Sequence, residues 1–245
     1  MLSRAVEYAF KRREPKLSFE ERIVSFTFDD APLSAFQSGS EILAASGVRG
    51  TFYVSASLCD QETEVGRIAS RRDLFESHSR GHEIANHGFE HVDMTSLGYR
   101  ASQRNVRENR NALAPIVTDH FAFPLGRTSA IIRHAVRNLV ETARGIQPGI
   151  NRSRVDRLDL KAVPVYSKLG LERCLALLAS CAAHGGWLIF YTHDVCESPS
   201  DYGCTPDQLR QLVEAAVRAN DVAVMTIESA WRVLRDNERP AGYRV

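Results

Sequence analysis

Apolar residues along this chain fall into short blocks that alternate between two periods. Continuous runs rich in β-branched and aromatic residues predict buried strands at 23–26, 51–54, 83–85, 120–123 and 187–191. Weaker runs follow at 142–146, 162–165 and 222–226, and Pro164 gives the second of these the character of an edge strand. Between the runs, apolar positions recur at helical spacing. Leu2, Val6 and Phe10 predict a short amphipathic helix that Pro15 ends. Ser70 can cap a helix carrying Leu74 and Phe75, and Ser129 opens one with Ile132, Val136 and Val140 on a stripe. The segment 99–114 reads as a polar helix rich in Arg and Asn, with Val106 and Leu113 inward and its charges on a solvated face. Residues 171–183 form a strongly apolar helix. Thr205 and Gln208 have capping-box spacing around Pro206, and a last helix surrounds Trp231.

Strands alternating with helices at this density predict an α/β fold, a parallel sheet with helices outside it. Seven or eight such units favour a closed barrel over an open doubly wound sheet. In both architectures ligands bind at the carboxyl ends of the strands, where the loops into the helices gather.

Composition narrows the function. A length of 245 residues suits one domain, and 31 Lys and Arg against 30 Asp and Glu exert no general pull on nucleic acid or anionic membrane, so the expected partner is small or neutral. The five cysteines lack metal-finger spacing and read as reduced thiols; only Cys196 and Cys204, flanking one loop, are placed to pair. Arg4 and Glu7 interrupt the first ten residues, and no stretch reaches the ~18 apolar residues of a membrane span. A cytoplasmic location is expected, and oligomeric state is not readable.

The candidate chemistry sits where the strands end. Thr27-Phe28-Asp29-Asp30-Ala31-Pro32 sets two carboxylates side by side, an arrangement that a cation or a shared proton would stabilise. Asn86-His87-Gly88-Phe89-Glu90-His91 follows the third strand, Pro124-Leu125-Gly126 the fourth, and Thr192-His193-Asp194 the strand at 187–191. All four therefore share one face. Gly88 disfavours a helix, which places His87 and His91 on a loop or a single turn. With Asp30 they make an N,N,O set that leaves positions open for water and substrate, the layout of a catalytic divalent-metal site. His78, His82, His120, His134 and His184 read as core or surface residues, His82 being the nearest of them to the site strand.

The segments TFDDAP, NHGFEH, FAFPLG and LIFYTHD resemble, in this order, the successive motifs of carbohydrate esterase family 4, the polysaccharide deacetylases with the NodB-homology fold. The resemblance runs from about Ile23 to Thr226. It implies a distorted (β/α)7–8 barrel, and with the length it makes a single catalytic domain over 1–245 the expectation, in which the N-terminal helical segment 1–22 is read from its own spacing as a cap across one end. It also implies Asp29 as general base, His193 as general acid, and Asp30, His87 and His91 as ligands of a divalent metal, zinc before cobalt or another ion. The backbone N–H of Leu125 would hold the oxyanion. The implied reaction removes N-acetyl groups from an acetylated sugar, oligosaccharide or polysaccharide, or from a small acetamide.

This chain departs from the family pattern at several points. Ala31 stands where Gly is common, Gly88 where Ser or Thr follows the first histidine, and Ala122 where an arginine orients the base. Arg127 is a candidate replacement for that arginine, and Asp156 and Asp159 are candidates for the family's later Asp motif, which tunes the acid histidine. Two alternatives follow: hydrolysis of a non-sugar amide or cyclic imide on the same fold, and a carbohydrate-binding protein with impaired turnover, motivated by Ala122. A non-haem iron oxygenase would share the ligand set but leave Asp29 without a role. Tyr202 is a candidate sugar platform, in a loop that with the one at 59–71 flanks the groove.

Overall fold

The computed structural model describes residues 21–153 and 155–237. The expected N-terminal helix lies outside them. Among the described residues, eight parallel strands form the main sheet: β1 (Arg22–Phe28), β2 (Thr51–Val54), β3 (Glu83–Asn86), β4 (Val117–Ala122), β5 (Thr142–Arg144), β6 (Val163–Pro164), β7 (Gly186–Thr192) and β8 (Ala223–Val224). Their order is β5-β4-β3-β2-β1-β7-β6, with β8 against the start of β1. The sheet curls into an incomplete barrel. Its two edges, β5 and β6, are joined through the residues that precede β6, where Leu160 makes a single parallel bridge to Arg144. Backbone hydrogen bonds hold that seam, among them Leu160 N–H to Ala143 O at 2.9 Å, Gly145 N–H to Leu160 O at 3.0 Å and Ala162 N–H to Gln147 O at 3.0 Å.

The alternation along β1 sorts its side chains. Val24, Phe26 and Phe28 belong to the large core between sheet and helices, while Ile23 joins Tyr53, Ala85, Ala122, Trp187, Ile189 and Tyr191 in a separate interior cluster. Ser25 and Thr27 continue the inward row as small buried polar residues; the Trp187 indole N–H donates to Ser25 Oγ at 2.9 Å. With two residues per repeat, the inward row of β1 leads directly to Asp29.

Seven helices follow the strands among the described residues: α1 (Ser40–Ala45), α2 (Arg71–Ser79), α3 (Met94–Leu113), α4 (Ala130–Val136), α5 (Glu172–His184), α6 (Pro206–Arg218) and α7 (Ile227–Asn237). The three expected caps form, Ser129 accepting from the Ile132 N–H. Ser70 and Asp73 close a capping box on α2, Thr205 and Gln208 one on α6. Ile227, Ala230, Trp231 and Leu234 of α7 pack with the interior cluster and plug the barrel at the strands' amino ends.

Some expectations need correction. Val140, expected on the stripe of α4, lies beyond that helix. A small hairpin, Glu62–Thr63 with Gly66–Arg67, was not legible, since two-residue strands carry no periodicity. The helix expected at 99–114 is preceded by a turn from Met94 that breaks at Gly98 (φ 72°, ψ 178°), and its Asn105 and Asn109 are buried beside Val106 and Leu113. The five cysteines are free thiols, Cys196 and Cys204 included. No helix among the described residues is long and apolar enough to cross a membrane.

Candidate active site

Asp29 extends the β1–β7 ladder one step past the strand, its N–H donating to Thr192 O at 2.9 Å. The chain then turns sharply, with Asp30 at φ 63° and Ala31 at φ 59°. Left-handed geometry costs a non-glycine residue about 1–2 kcal/mol, so the surroundings must hold this turn in place. Its effect is to separate two adjacent carboxylates. Asp29 points along the inward row, and Asp30 turns to the loop after β3.

Three residues converge around Asp30. His91 Nε2 lies 2.9 Å and His87 Nε2 3.4 Å from Asp30 Oδ1, and one ligand atom from each of the three lies within 4.8 Å of the others. His87 Nδ1 is 2.9 Å from Ala122 O, a carbonyl that can only accept, so Nδ1 carries a proton and Nε2 is the ring atom left facing Asp30. Asp30 Oδ1 is buried and has no aligned hydrogen bond. Lone pairs facing a carboxylate oxygen at this range repel unless a proton or a cation intervenes. Burial alone would raise the Asp30 pKa, but contacts with His87 and His91 outweigh it and hold the carboxyl well below the usual range. Burial likewise opposes charge on His91, and Asp30 outweighs it and raises the His91 pKa. Two imidazoles and one carboxylate fit a divalent metal ion.

The loop that carries the histidines is braced from α3. Gly88 N–H donates to Asn86 Oδ1 at 2.9 Å and Phe89 N–H to Asn105 Oδ1 at 2.8 Å. Asn109 ties Val54 O and Asn86 Oδ1 at 2.7 and 2.8 Å. Gly88 has φ 75°, and a Cβ there would meet Asn105 Oδ1 at 2.5 Å. The amide of Asn105 thus occupies the space of the side chain usual at this position and supplies the loop's hydrogen bond from another element.

Asp29 has a different partner. Arg144, at the end of β5 and only 1 % exposed, donates from one terminal nitrogen to both Asp29 oxygens, the Oδ2 contact being 2.6 Å. Its other terminal nitrogen donates to Gly145 O at 3.0 Å. The Tyr53 and Tyr191 rings flank the guanidinium, with centroids 5.0 and 4.9 Å away. Register explains the relocation, because Arg144 is the direct cross-strand partner of Ala122. The guanidinium is missing at 122 and arrives from the neighbouring strand. Arg127 does not replace it; it pairs with Asp93 at 2.9 Å on the surface. Sequence reasoning passed over Arg144, although a charged residue inside a short apolar strand, near the end where the other site residues gather, was a usable signal.

His193 completes the arrangement, its Nε2 3.9 Å from Asp30 Oδ2. Its Nδ1 faces Tyr202 O at 3.2 Å rather than a carboxylate. Asp156 and Asp159 do not reach it; they pair with Arg133 at 3.6 and 3.1 Å. Tyr202 is exposed, with its ring 5.6 Å from His193 and 5.9 Å from Tyr166. Leu125 stands 51 % exposed at φ 57° in the turn after β4. His82 and His120 are structural: Gly50 N–H donates to His82 Nδ1 at 3.2 Å, and His120 Nδ1 meets Thr142 Oγ1 at 2.8 Å.

The chain resembles known proteins at two levels. It is 27 % identical over 95 residues to a chitin deacetylase of Arthroderma benhamiae, a match spanning 38 % of this chain and 24 % of that protein. It is 25 % identical to a chitooligosaccharide deacetylase of Rhizobium leguminosarum over 78 % of this chain and 76 % of that one. In fold it resembles the crystal structure of a candidate polysaccharide deacetylase from Mycobacterium smegmatis, with a TM-score of 0.64, 17 % identity and 93 % of each chain covered. The family model described as polysaccharide deacetylase matches residues 16–142, a span that holds Asp29, Asp30, His87, His91 and Leu125. On that match the chain belongs to the polysaccharide deacetylase family.

Proposed function

We propose that the protein removes N-acetyl groups from an acetylated sugar or oligosaccharide, using a divalent metal for which zinc suits the donor set. One observation carries this reading: the two adjacent carboxylates have separate partners, Asp29 with Arg144 and Asp30 with the two histidines. Asp30, His87 and His91 would hold the metal, which when bound would supply a Lewis acid to acidify water and polarise the acyl carbonyl. Asp29 takes the water's proton as the acetamide carbon is attacked, and Arg144 keeps its carboxylate aimed inward. The backbone N–H of Leu125 receives the charge that develops on the carbonyl oxygen. His193 gives a proton from Nε2 to the leaving nitrogen, while the Tyr202 carbonyl at Nδ1 fixes the ring. The products are acetate and a free amino sugar.

The reading as a binding protein with impaired turnover rested on Ala122, and Arg144 withdraws that support. Acetate release from chitooligosaccharides and from small acetamides, with zinc or cobalt supplied, tests the proposal. Release from the sugars is expected. Bound metal with no release from either group of substrates would overturn it.

A further inference from the structure

Asp194 directly follows the acid histidine, is only 4 % exposed, and has no part in the chemistry described so far. Its side-chain partners among the described residues all lie in its own loop, and none is a cation. Ser200 N–H donates to Oδ2 at 2.8 Å, the Ser200 hydroxyl to Oδ1 at 2.6 Å, and the Cys196 thiol to Oδ2 at 3.7 Å. From Ser200 the contact passes on, because a hydroxyl that donates can also accept. Ser200 Oγ accepts from Tyr202 N–H at 3.2 Å. The Tyr202 carbonyl in turn receives three groups from the end of β7: His193 N–H at 3.2 Å, Thr192 Oγ1 at 3.3 Å and the His193 ring at Nδ1, 3.2 Å. One hydroxyl and one residue thus separate the Asp194 carboxylate from the atom that orients the acid ring.

The loop is built around that carboxylate. A Cβ on Gly203 would collide with Oδ1, Cγ and Oδ2 of Asp194, so the chain passes this closely only because residue 203 lacks a side chain. The loop's two ends are tied, with Val195 bridging Cys204 and Cys204 N–H donating to Asp194 O at 3.0 Å. Adjacent loops grip it from both sides: Val195 N–H donates to Ser34 Oγ at 3.2 Å and Ser167 N–H to Gly203 O at 2.8 Å. A carbonyl moves with its peptide, so where the loop sets Tyr202 decides where the His193 ring points.

We propose that Asp194 is a positioning residue for the acid. Acting through Ser200 and the Tyr202 carbonyl, it holds the His193 ring with Nδ1–H toward the loop and Nε2 toward the leaving nitrogen. The proposal rests on the reading of His193 as the acid of a deacetylase, but the state of the ring can be measured without turnover.

In metal-free protein carrying 15N-labelled histidine at pH 8, the His193 signal, assigned by its loss in His193→Ala, is expected to place the proton on Nδ1. Ser200→Ala removes only the hydroxyl and leaves the Ser200 N–H on Asp194, so the loop keeps its main tie. This variant and Asp194→Asn should each shift much of that proton to Nε2, the site a free histidine ring favours. An unchanged ring in both variants would overturn the proposal. With zinc, both variants should lower kcat for N-acetylated chitotetraose roughly ten- to hundredfold, with KM changed less than about twofold. Hydrolysis of 4-nitrophenyl acetate, whose phenolate leaves without a proton, should fall less than about threefold, and zinc should bind as in wild type. Equal losses on the two substrates, or weakened zinc binding, would make Asp194 a merely structural residue and overturn its positioning role. A ring proton that moves as expected, together with no acetate release from any glycan by the wild type, would uphold the positioning and sink the deacetylase reading instead.

Discussion

Ala122 and Arg144 face each other across adjacent strands, and only Arg144 carries the guanidinium that Asp29 accepts. A residue moved sideways by one strand has kept a contact that the linear motif lacks. Arg144→Ala should therefore reduce kcat roughly 100-fold or more, the scale of a misplaced reacting group. It should also cost about 3–5 kcal/mol of stability, because Asp29 would be left buried and unpaired. Arg144→Lys would keep the charge but not the planar contact between Tyr53 and Tyr191, and should remain well below wild type. Added guanidine restoring part of the Arg144→Ala rate would confirm a positioning role; a variant as active as wild type would refute it.

The two aspartates should fail differently. Asp30→Asn is expected to lose metal, read by equilibrium dialysis, whereas Asp29→Asn should bind metal normally and lose turnover. Because protons compete for the ligands, the rise in unfolding temperature on adding zinc should be larger at pH 8 than at pH 5.5, and should vanish in Asp30→Asn. A pH-independent rise, or one that survives in Asp30→Asn, would place the metal elsewhere.

Gly88→Ser restores the side chain usual in the family but in this chain drives it into Asn105. Destabilisation of the loop and weaker metal binding are expected. The double variant Gly88→Ser with Asn105→Gly should recover part of both losses. Additive losses in a thermodynamic cycle would show that the two positions do not share one space.

His82 gives the fold a pH dependence at the opposite end of the barrel. Burial, reinforced by Arg49 and Arg80, lowers its pKa to about 4 from 6.5. The folded state thus resists a proton that the unfolded chain accepts, so this contribution is complete above about pH 6.5 and lost progressively as pH falls toward 4. It amounts to about 3 kcal/mol at most. Urea unfolding of His82→Gln between pH 4 and 7 should show a shallower pH slope than wild type; an unchanged slope would assign the effect to other groups.

Much of the site was legible because each site residue follows a strand whose apolar run is visible: Asp29 and Asp30 after β1, His87 and His91 after β3, His193 after β7. What escaped depends on lateral register. Nothing in the sequence aligns Ala122 with Arg144, since that pairing is fixed by how β4 and β5 slide against each other. Asn105 escaped for a related reason, because on a helix rich in Arg and Asn the face that turns to the loop is set by packing rather than by hydropathy.

Arg144 also sits at the seam, where β5 is only three residues long and one bridge to Leu160 links the barrel's edges. The support for the base is thereby fastened to the least continuous rung of the sheet. In rising denaturant the seam should part before the helices melt, so catalysis would fade while the circular dichroism signal still reads as native. The enzyme would lose its chemistry before it loses its shape.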